Sequence, residues 1–235
     1  MDIKELTKHN YVPYSKEPSI AVVRSQTGQW FPGVRIENIS YPLSISATQN
    51  ALFCCLSEGH QPDELFTEEI ESPMIPSWEK EFNLSAQPLD KDQLQGITFD
   101  NPILSADINK RKKLKELLDK AIVNESDFPV SALIETDQGY FSGVNIECRS
   151  WNMGLCAERI AISKALTYGI HKLNSLAIHT RKGEFSSPCG ACRQVIIEHL
   201  PKTQIHLHHA DQTESIHFSE DLLPHSFRST SLSNK

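Results

Sequence analysis

Two alternating, β-branched runs of residues flank a glycine turn, and this arrangement occurs twice along the chain. Residues 19–24 and 30–36 flank Thr27-Gly28, and residues 130–136 and 140–146 flank Asp137-Gln138-Gly139. Period-two alternation on either side of a glycine predicts a β-hairpin in each place. A helical stretch follows each hairpin. In the later one, Ile160, Ser163, Lys164 and Thr167 fall on one side and Ala161, Ala165 and Leu166 on the other. Residues 175–179 and 204–208 read as further strands with a helix over 192–199 between them, and strands alternating with helices imply a layered α/β domain. Leu114, Leu117, Leu118, Ala121 and Ile122 are spaced as one face of an amphipathic helix that opens the second half.

The two halves are copies of one unit. Phe31-Pro32-Gly33-Val34-Arg35-Ile36-Glu37-Asn38 lies over Phe141-Ser142-Gly143-Val144-Asn145-Ile146-Glu147-Cys148 with five of eight positions identical. The same offset of 110 residues then pairs Ser40 with Ser150, Ala47 with Ala157, Ala51 with Ala161, Leu56 with Leu166 and Gly59 with Gly169. A register held over so many positions without a gap is the mark of an internal repeat. The seam falls near Asp100-Asn101-Pro102, which gives units of 1–100 and 101–235.

Charge and composition narrow the function. The chain has 235 residues, 39% hydrophobic and 23% charged, with a net charge of −7, enough apolar material for packed cores. The acidic balance counts against a nucleic-acid or anionic-membrane partner, since phosphate binding needs a basic face. No stretch approaches the ~20 apolar residues of a bilayer span, and the polar start lacks a signal-peptide core, so the cytoplasm is the expected location. Several local features read as structural. Lys110-Arg111-Lys112-Lys113 is expected to be the solvated face of a helix, His206 and His208 the polar side of a strand, and Cys54-Cys55 core packing.

The remaining cysteines carry chemistry. Cys156-Ala157-Glu158 and Pro188-Cys189-Gly190-Ala191-Cys192 place a cysteine pair at one helix start and a third cysteine at another. Three thiolates can hold one zinc and leave its fourth position open, as catalytic sites do. Glu158, two residues beyond Cys156, is near enough to exchange a proton with a water at that position. Three thiolates on Zn²⁺ leave a net charge of about −1, which helix N-termini and Arg159 would offset. A cysteine two residues before a glutamate, followed by P-C-x-x-C, is a known signature of zinc nucleobase deaminases.

At this point the second unit, about residues 110 to 228, resembles the cytidine deaminase family that acts on free nucleosides. The resemblance runs through Phe128-Pro129-Val130, Phe141-x-Gly143-x-Asn145-Ile146-Glu147, Cys156-Ala157-Glu158-Arg159, Ser187-Pro188-Cys189-Gly190-Ala191-Cys192-Arg193-Gln194 and Leu222-Leu223-Pro224-x-x-Phe227. It implies two tandem three-layer α-β-α domains, each around a mixed sheet of about five strands. It also implies hydrolytic deamination of cytidine and 2'-deoxycytidine to the uridines, a pyrimidine salvage reaction, by a zinc-bound hydroxide. Cys156, Cys189 and Cys192 would hold the zinc, with Glu158 as proton shuttle and Arg159 in support. Asn145 and Glu147 would bind the sugar hydroxyls, the Ala157 N–H the pyrimidine carbonyl, and Phe128 would stack on the base.

In the first unit Ser46 answers Cys156, Thr48 answers Glu158, Gln49 answers Arg159 and Arg35 answers Asn145. A looser match sets Pro73, Met74 and Ser77 against the cysteine pair. One zinc per chain is therefore expected, in the second unit, with the first a degenerate and non-catalytic copy. The resemblance further implies a homodimer of two-unit chains forming a pseudo-tetramer, in which sites borrow residues across units. Tyr41, on a loop close to the family's, and Phe227 are the candidate cross-domain contacts, with Phe99 a further one. Cys148-Arg149-Ser150-Trp151-Asn152 departs from that loop. A blasticidin S-type or other aminopyrimidine nucleoside, a polynucleotide substrate, and a silent zinc-binding scaffold stand as alternative readings.

Overall fold

A computed structural model describes residues 1–227. A short helix α1 (Ile3–Leu6) precedes the hairpin β1 (Ile20–Ser25) and β2 (Trp30–Val34), followed by α2 (Ala47–Ser57), β3 (Pro62–Thr67), α3 (Ile75–Phe82) and β4 (Ser85–Pro88). The second unit runs α4 (Lys110–Leu117), β5 (Val130–Thr136), β6 (Gly139–Val144), α5 (Ala157–Thr167), β7 (Ser175–Thr180), α6 (Gly190–His199), β8 (Gln204–His208), β9 (Glu214–Phe218) and α7 (Ser219–Leu222). The sheets have the orders β2-β1-β3-β4 and β6-β5-β7-β8-β9. Both are mixed, with β3–β4 and β7–β8 parallel and the remaining pairs antiparallel. The first sheet therefore has four strands where about five were expected, because the chain leaves β4 for the seam without a counterpart of β9.

Pleat alternation assigns the layers. Ser131 Oγ donates to Leu114 O at 2.7 Å, which puts α4 on one face of the second sheet. Gly143, paired with Ala132 on the opposite face, meets α5. A Cβ at Gly143 would lie 2.1 Å from Ala157 O and 2.6 Å from Ala161 N, so only glycine lets α5 approach the sheet this closely. Gly33 stands against α2 in the same way: a Cβ there would lie 2.2 Å from Ala51 N and 2.4 Å from Ala47 O. The repeated F-x-G-V motif is thus a packing device that seats the same helix in both units.

At the seam the chain passes from one sheet edge to the other. Phe99 bridges Trp30 beside β2, and Leu104 bridges Tyr140 on β6. Phe99 is 8% exposed and packs into the core. The helix expected through Ile122 stops at α4 and a 3-10 turn (Leu118–Lys120). Ala121 is extended because Ile122 pairs with Ile146 across the sheet.

Helices α2 and α5 pack against each other between the units, and every residue of both is buried. The side of α5 bearing Ser163, Lys164 and Thr167 was expected to differ from the alanine side. Instead α2 covers it, and its polar atoms find partners there. Asn50 Nδ2 donates to Thr167 Oγ1 at 2.8 Å, and Lys164, fully buried, pairs with Glu58. Cys54 and Cys55 are buried in the same layer, where burial pushes the Cys54 thiol up to about 12. No helix among the described residues is long and apolar enough to cross a membrane.

Candidate active site

Each cysteine of the cluster owes its place to a helix start. Cys156 is the N-cap of α5 and Cys189 the N-cap of α6, both with extended backbone, while Cys192 lies in the first turn of α6. Cys189 Sγ accepts the Cys192 N–H at 3.4 Å, and Cys156 makes no capping bond of its own. The sulfurs thus sit where the partial positive charge of two helix ends favours a thiolate. Cys156 and Cys189 sulfurs are 3.7 Å apart, and all three lie within 4.8 Å of one another. Bonds of about 2.3 Å in a tetrahedral zinc site put sulfurs about 3.8 Å apart, so this donor set fits zinc. Among the described residues it is the cluster with metal-ligand spacing. Hydrogen bonding among the three sulfurs holds the Cys189 thiol far below its ordinary value and raises those of Cys156 and Cys192.

Glu158 follows Cys156 into the first turn of α5 and is 3% exposed. Its Oε2 is buried without a hydrogen-bond partner. Burial above all, together with the Cys189 charge, pushes its carboxyl up to about 7. An incompletely partnered buried carboxyl beside a cluster with metal-ligand spacing marks Glu158 as a candidate functional group. Arg159, 9% exposed, turns toward the first unit, where its guanidinium donates to Leu43 O at 2.9 Å.

Beside the sulfurs lies a cleft of about 160 Å³ lined by Asn145, Ile146, Glu147, Trp151, Gly154, Leu155 and Cys156. Two of the expected sugar-binding residues are therefore brought to the metal cluster. Both also brace the wall. Asn145 Oδ1 accepts the Val130 N–H at 2.7 Å, and its Nδ2 donates to Phe128 O at 3.0 Å. Glu147 Oε2 accepts the N–H groups of Glu125 and Ser126 at 3.0 and 3.1 Å, and its Oε1 accepts the Ser126 hydroxyl. Phe128 lies beyond the lining, 37% exposed and against Gly183. Ala157 is fully buried at the first position of α5. Trp151, 64% exposed, lines the cleft without having been singled out as a contact. The signal for it was its place 110 residues after Tyr41.

The first unit keeps the shape and closes the chemistry. Ser46 caps α2 by accepting the Gln49 N–H at 3.1 Å, where Cys156 leaves its helix uncapped. The carboxylate of Glu69 accepts the N–H groups of Ala47 and Thr48, and the Thr48 hydroxyl is 2.7 Å from that of Thr67. The N–H groups of Ala47, Thr48 and Gln49 at that helix start are thus taken up by side chains of the first unit itself. Met74 stands at the N-cap of α3 as Cys189 stands at that of α6, but its backbone is helical there and its side chain makes no capping bond. Tyr41 is 84% exposed and lines the first unit's own cleft with Tyr14, Arg35, Glu37 and Asn38. Phe227 is 52% exposed, and its carbonyl accepts from Gln194 on α6 at 3.0 Å. Among the described residues, the group with metal-ligand spacing does not include His206, His208 or His209. His206 bonds Glu214 at 3.0 Å on the polar side of β8, and His209 stacks on Phe185.

Comparison with known proteins matches residues 106–207 to the cytidine and deoxycytidylate deaminase zinc-binding region, and residues 4–72 to a second model of that same region. A cytidine deaminase of Sporosarcina psychrophila is 42% identical over 92 residues, which cover 39% of this chain and 65% of that protein. One from Mycoplasma pneumoniae is 34% identical over 120 residues, covering 50% of this chain and 90% of its own length. A crystal structure of cytidine deaminase from Burkholderia pseudomallei aligns with 33% identity and a TM-score of 0.47, over 49% of this chain and 94% of that one. With two matched regions in tandem and relatives covered over most of their length, the chain belongs to the cytidine and deoxycytidylate deaminase family, in a two-unit form.

Proposed function

We propose that the second unit, about residues 101–235, hydrolyses cytidine and 2'-deoxycytidine to uridine and 2'-deoxyuridine with release of ammonia, and that the first unit, residues 1–100, is non-catalytic. The last eight residues of that range lie outside the described residues. The observation that carries the reading is the orphaned, buried carboxyl of Glu158 beside three convergent sulfurs. Cys156, Cys189 and Cys192 would hold one zinc per chain, which when bound supplies a Lewis acid that makes a water acidic near neutral pH.

The chain's own groups then do the following. Glu158 accepts a proton from the attacking water at its carboxylate and delivers it to N3 of the ring as the water oxygen adds at C4; it then moves the proton of the new C4 hydroxyl to the amino group, so that the C4–N bond breaks and the C4 carbonyl forms. Water and cytidine thus become uridine and ammonia with no redox change. The Ala157 N–H receives the pyrimidine carbonyl. Asn145 and Glu147 meet the sugar hydroxyls with the hydrogen-bonding capacity they have left, and Phe128 closes on the base from beyond the cleft wall. A site that pairs with sugar hydroxyls favours the nucleoside over the free base, which would leave those polar groups unsatisfied. Arg159 supports the site by tying α5 to the 41–44 loop of the first unit.

Metal analysis combined with a cytidine-to-uridine assay on the purified protein tests the reading. One zinc per chain with ammonia release is the expected result. A metal-free chain, or a zinc-loaded one inert on cytidine and deoxycytidine, would overturn it. The exposure of Tyr41 and of Phe227 supports a homodimer in which they reach a neighbouring site. Tyr41→Ala is expected to raise KM for cytidine roughly tenfold, the value of a buried aromatic contact of about 1.4 kcal/mol, with zinc content unchanged. Normal kinetics in that variant would refute the borrowing.

A further inference from the structure

The two units clasp each other through two carboxylates whose main-chain partners, Ile39 and Arg149, are 110 residues apart like the repeat itself. Glu198 on α6 accepts the Ile39 N–H at 2.9 Å, along with the hydroxyls of Tyr14 at 2.8 Å and Tyr11 at 3.2 Å. Glu81 on α3 accepts the Arg149 N–H at 2.8 Å. Ile39 and Arg149 are equivalent positions, and α3 and α6 occupy equivalent places between parallel strands. Each unit's helix therefore holds the loop that follows the second hairpin strand of the other.

In the second unit that loop runs from Glu147 to Trp151, and both of these line the cleft beside Cys156. Glu147 also faces a larger cavity of about 510 Å³ at the seam, together with Glu81, Phe82, Glu125 and Arg149. Within the loop Cys148 is 1% exposed and fixed by packing, whereas the Arg149 side chain is exposed and offers no packing anchor. The remaining restraint at position 149 is its main-chain bond to Glu81. Glu81 Oε2 is buried with no partner, so that bond is what orients the carboxylate.

We propose that Glu81 of the non-catalytic unit is a positioning residue for the other unit's site, fixing the 147–151 loop through the Arg149 N–H and so setting the wall that receives the sugar. The role in turnover rests on the deaminase reading, whereas the hold on the loop does not. Because the donor is main chain, a neutral carbonyl at position 81 can take over the acceptance, and Glu81→Gln is the conservative control.

The test measures backbone hydrogen exchange and cytidine kinetics on the zinc-loaded full chain. In Glu81→Ala the Arg149 amide is expected to exchange roughly tenfold faster, with other segments unchanged. KM for cytidine is expected to rise roughly fivefold with kcat within about twofold of the parent, and Glu81→Gln to restore most of both. Unaltered Arg149 exchange in Glu81→Ala would overturn the proposal. So would faster exchange throughout the molecule with kcat and KM impaired together, which marks general loosening. If exchange responds as expected but the parent protein releases no ammonia from cytidine, the deaminase reading fails while the assignment of Glu81 to the loop stands.

Discussion

Glu158→Gln is expected to lower kcat for cytidine by roughly 10³-fold, the middle of the range for loss of a positioned general acid and base, while leaving zinc content and KM near the parent values. The amide keeps the size of the carboxyl and can still donate or accept one hydrogen bond, but it cannot take a proton from water and hand it on. Two features make the effect this large. Glu158 is buried within a residue of its helix start, so bulk solvent cannot substitute for it. Its Oε2 also has no other partner to satisfy. Metal analysis and steady-state assays on parent and variant check the expectation. Unchanged turnover would mean that the activity belonged to a contaminant. Loss of zinc along with turnover would mean that Glu158 shapes the metal site instead of moving protons.

That residue was legible in the sequence because its chemistry is local. Cys156 and Glu158 are two positions apart, and Cys189 and Cys192 three, so helix geometry alone aims them together once each helix has a start. The repeat was equally legible, since Gly33 and Gly143 must recur wherever the same helix lies this close to the same strand. What joins the two units was not. Glu58, Glu81 and Glu198 find Lys164, Arg149 and Ile39 at separations of 106, 68 and 159 residues, and in the sequence each looks like an ordinary solvated charge. Lys164 was grouped with Ile160, Ser163 and Thr167 on one side of the helix, and periodicity reports only that a side differs, not that a second copy of the unit covers it. Strand β9 went unrecognised because its residues are mostly Ser, His and Glu, and it forms by pairing with β8 at a sheet edge.

The buried pair between α2 and α5 gives the largest expected stability effect. Lys164 is fully buried, and its ammonium meets Glu58 with Lys120 on the carboxylate's other oxygen at 3.6 Å. Burial alone would raise the Glu58 carboxyl, but the charge of Lys164 and then that of Lys120 outweigh it and hold it below its usual value. A depressed carboxylate stabilises the folded chain above its unfolded pKa of about 4.3, and that stabilisation is lost as pH falls through the folded value. The parent's Tm is therefore expected to fall on acidification below about pH 4.3, over and above the loss from other carboxylates. Lys164→Met keeps an unbranched apolar stem one atom shorter and removes the charge, leaving Glu58 buried with Lys120 as its remaining cation. The expected cost is about 3 kcal/mol at pH 7, or roughly 6 to 12 °C in Tm for a chain of this size. Without Lys164 the carboxyl is no longer held down, so the variant's deficit should narrow as the pH is lowered and Glu58 takes up a proton. The double variant Lys164→Met, Glu58→Leu should recover most of the loss, since paired apolar side chains satisfy the same space without a stranded charge. Thermal unfolding of the three proteins between pH 2 and 8 tests this. A single variant as stable as the parent, or a deficit that widens on acidification, would show that the ion pair does not bind the two units together.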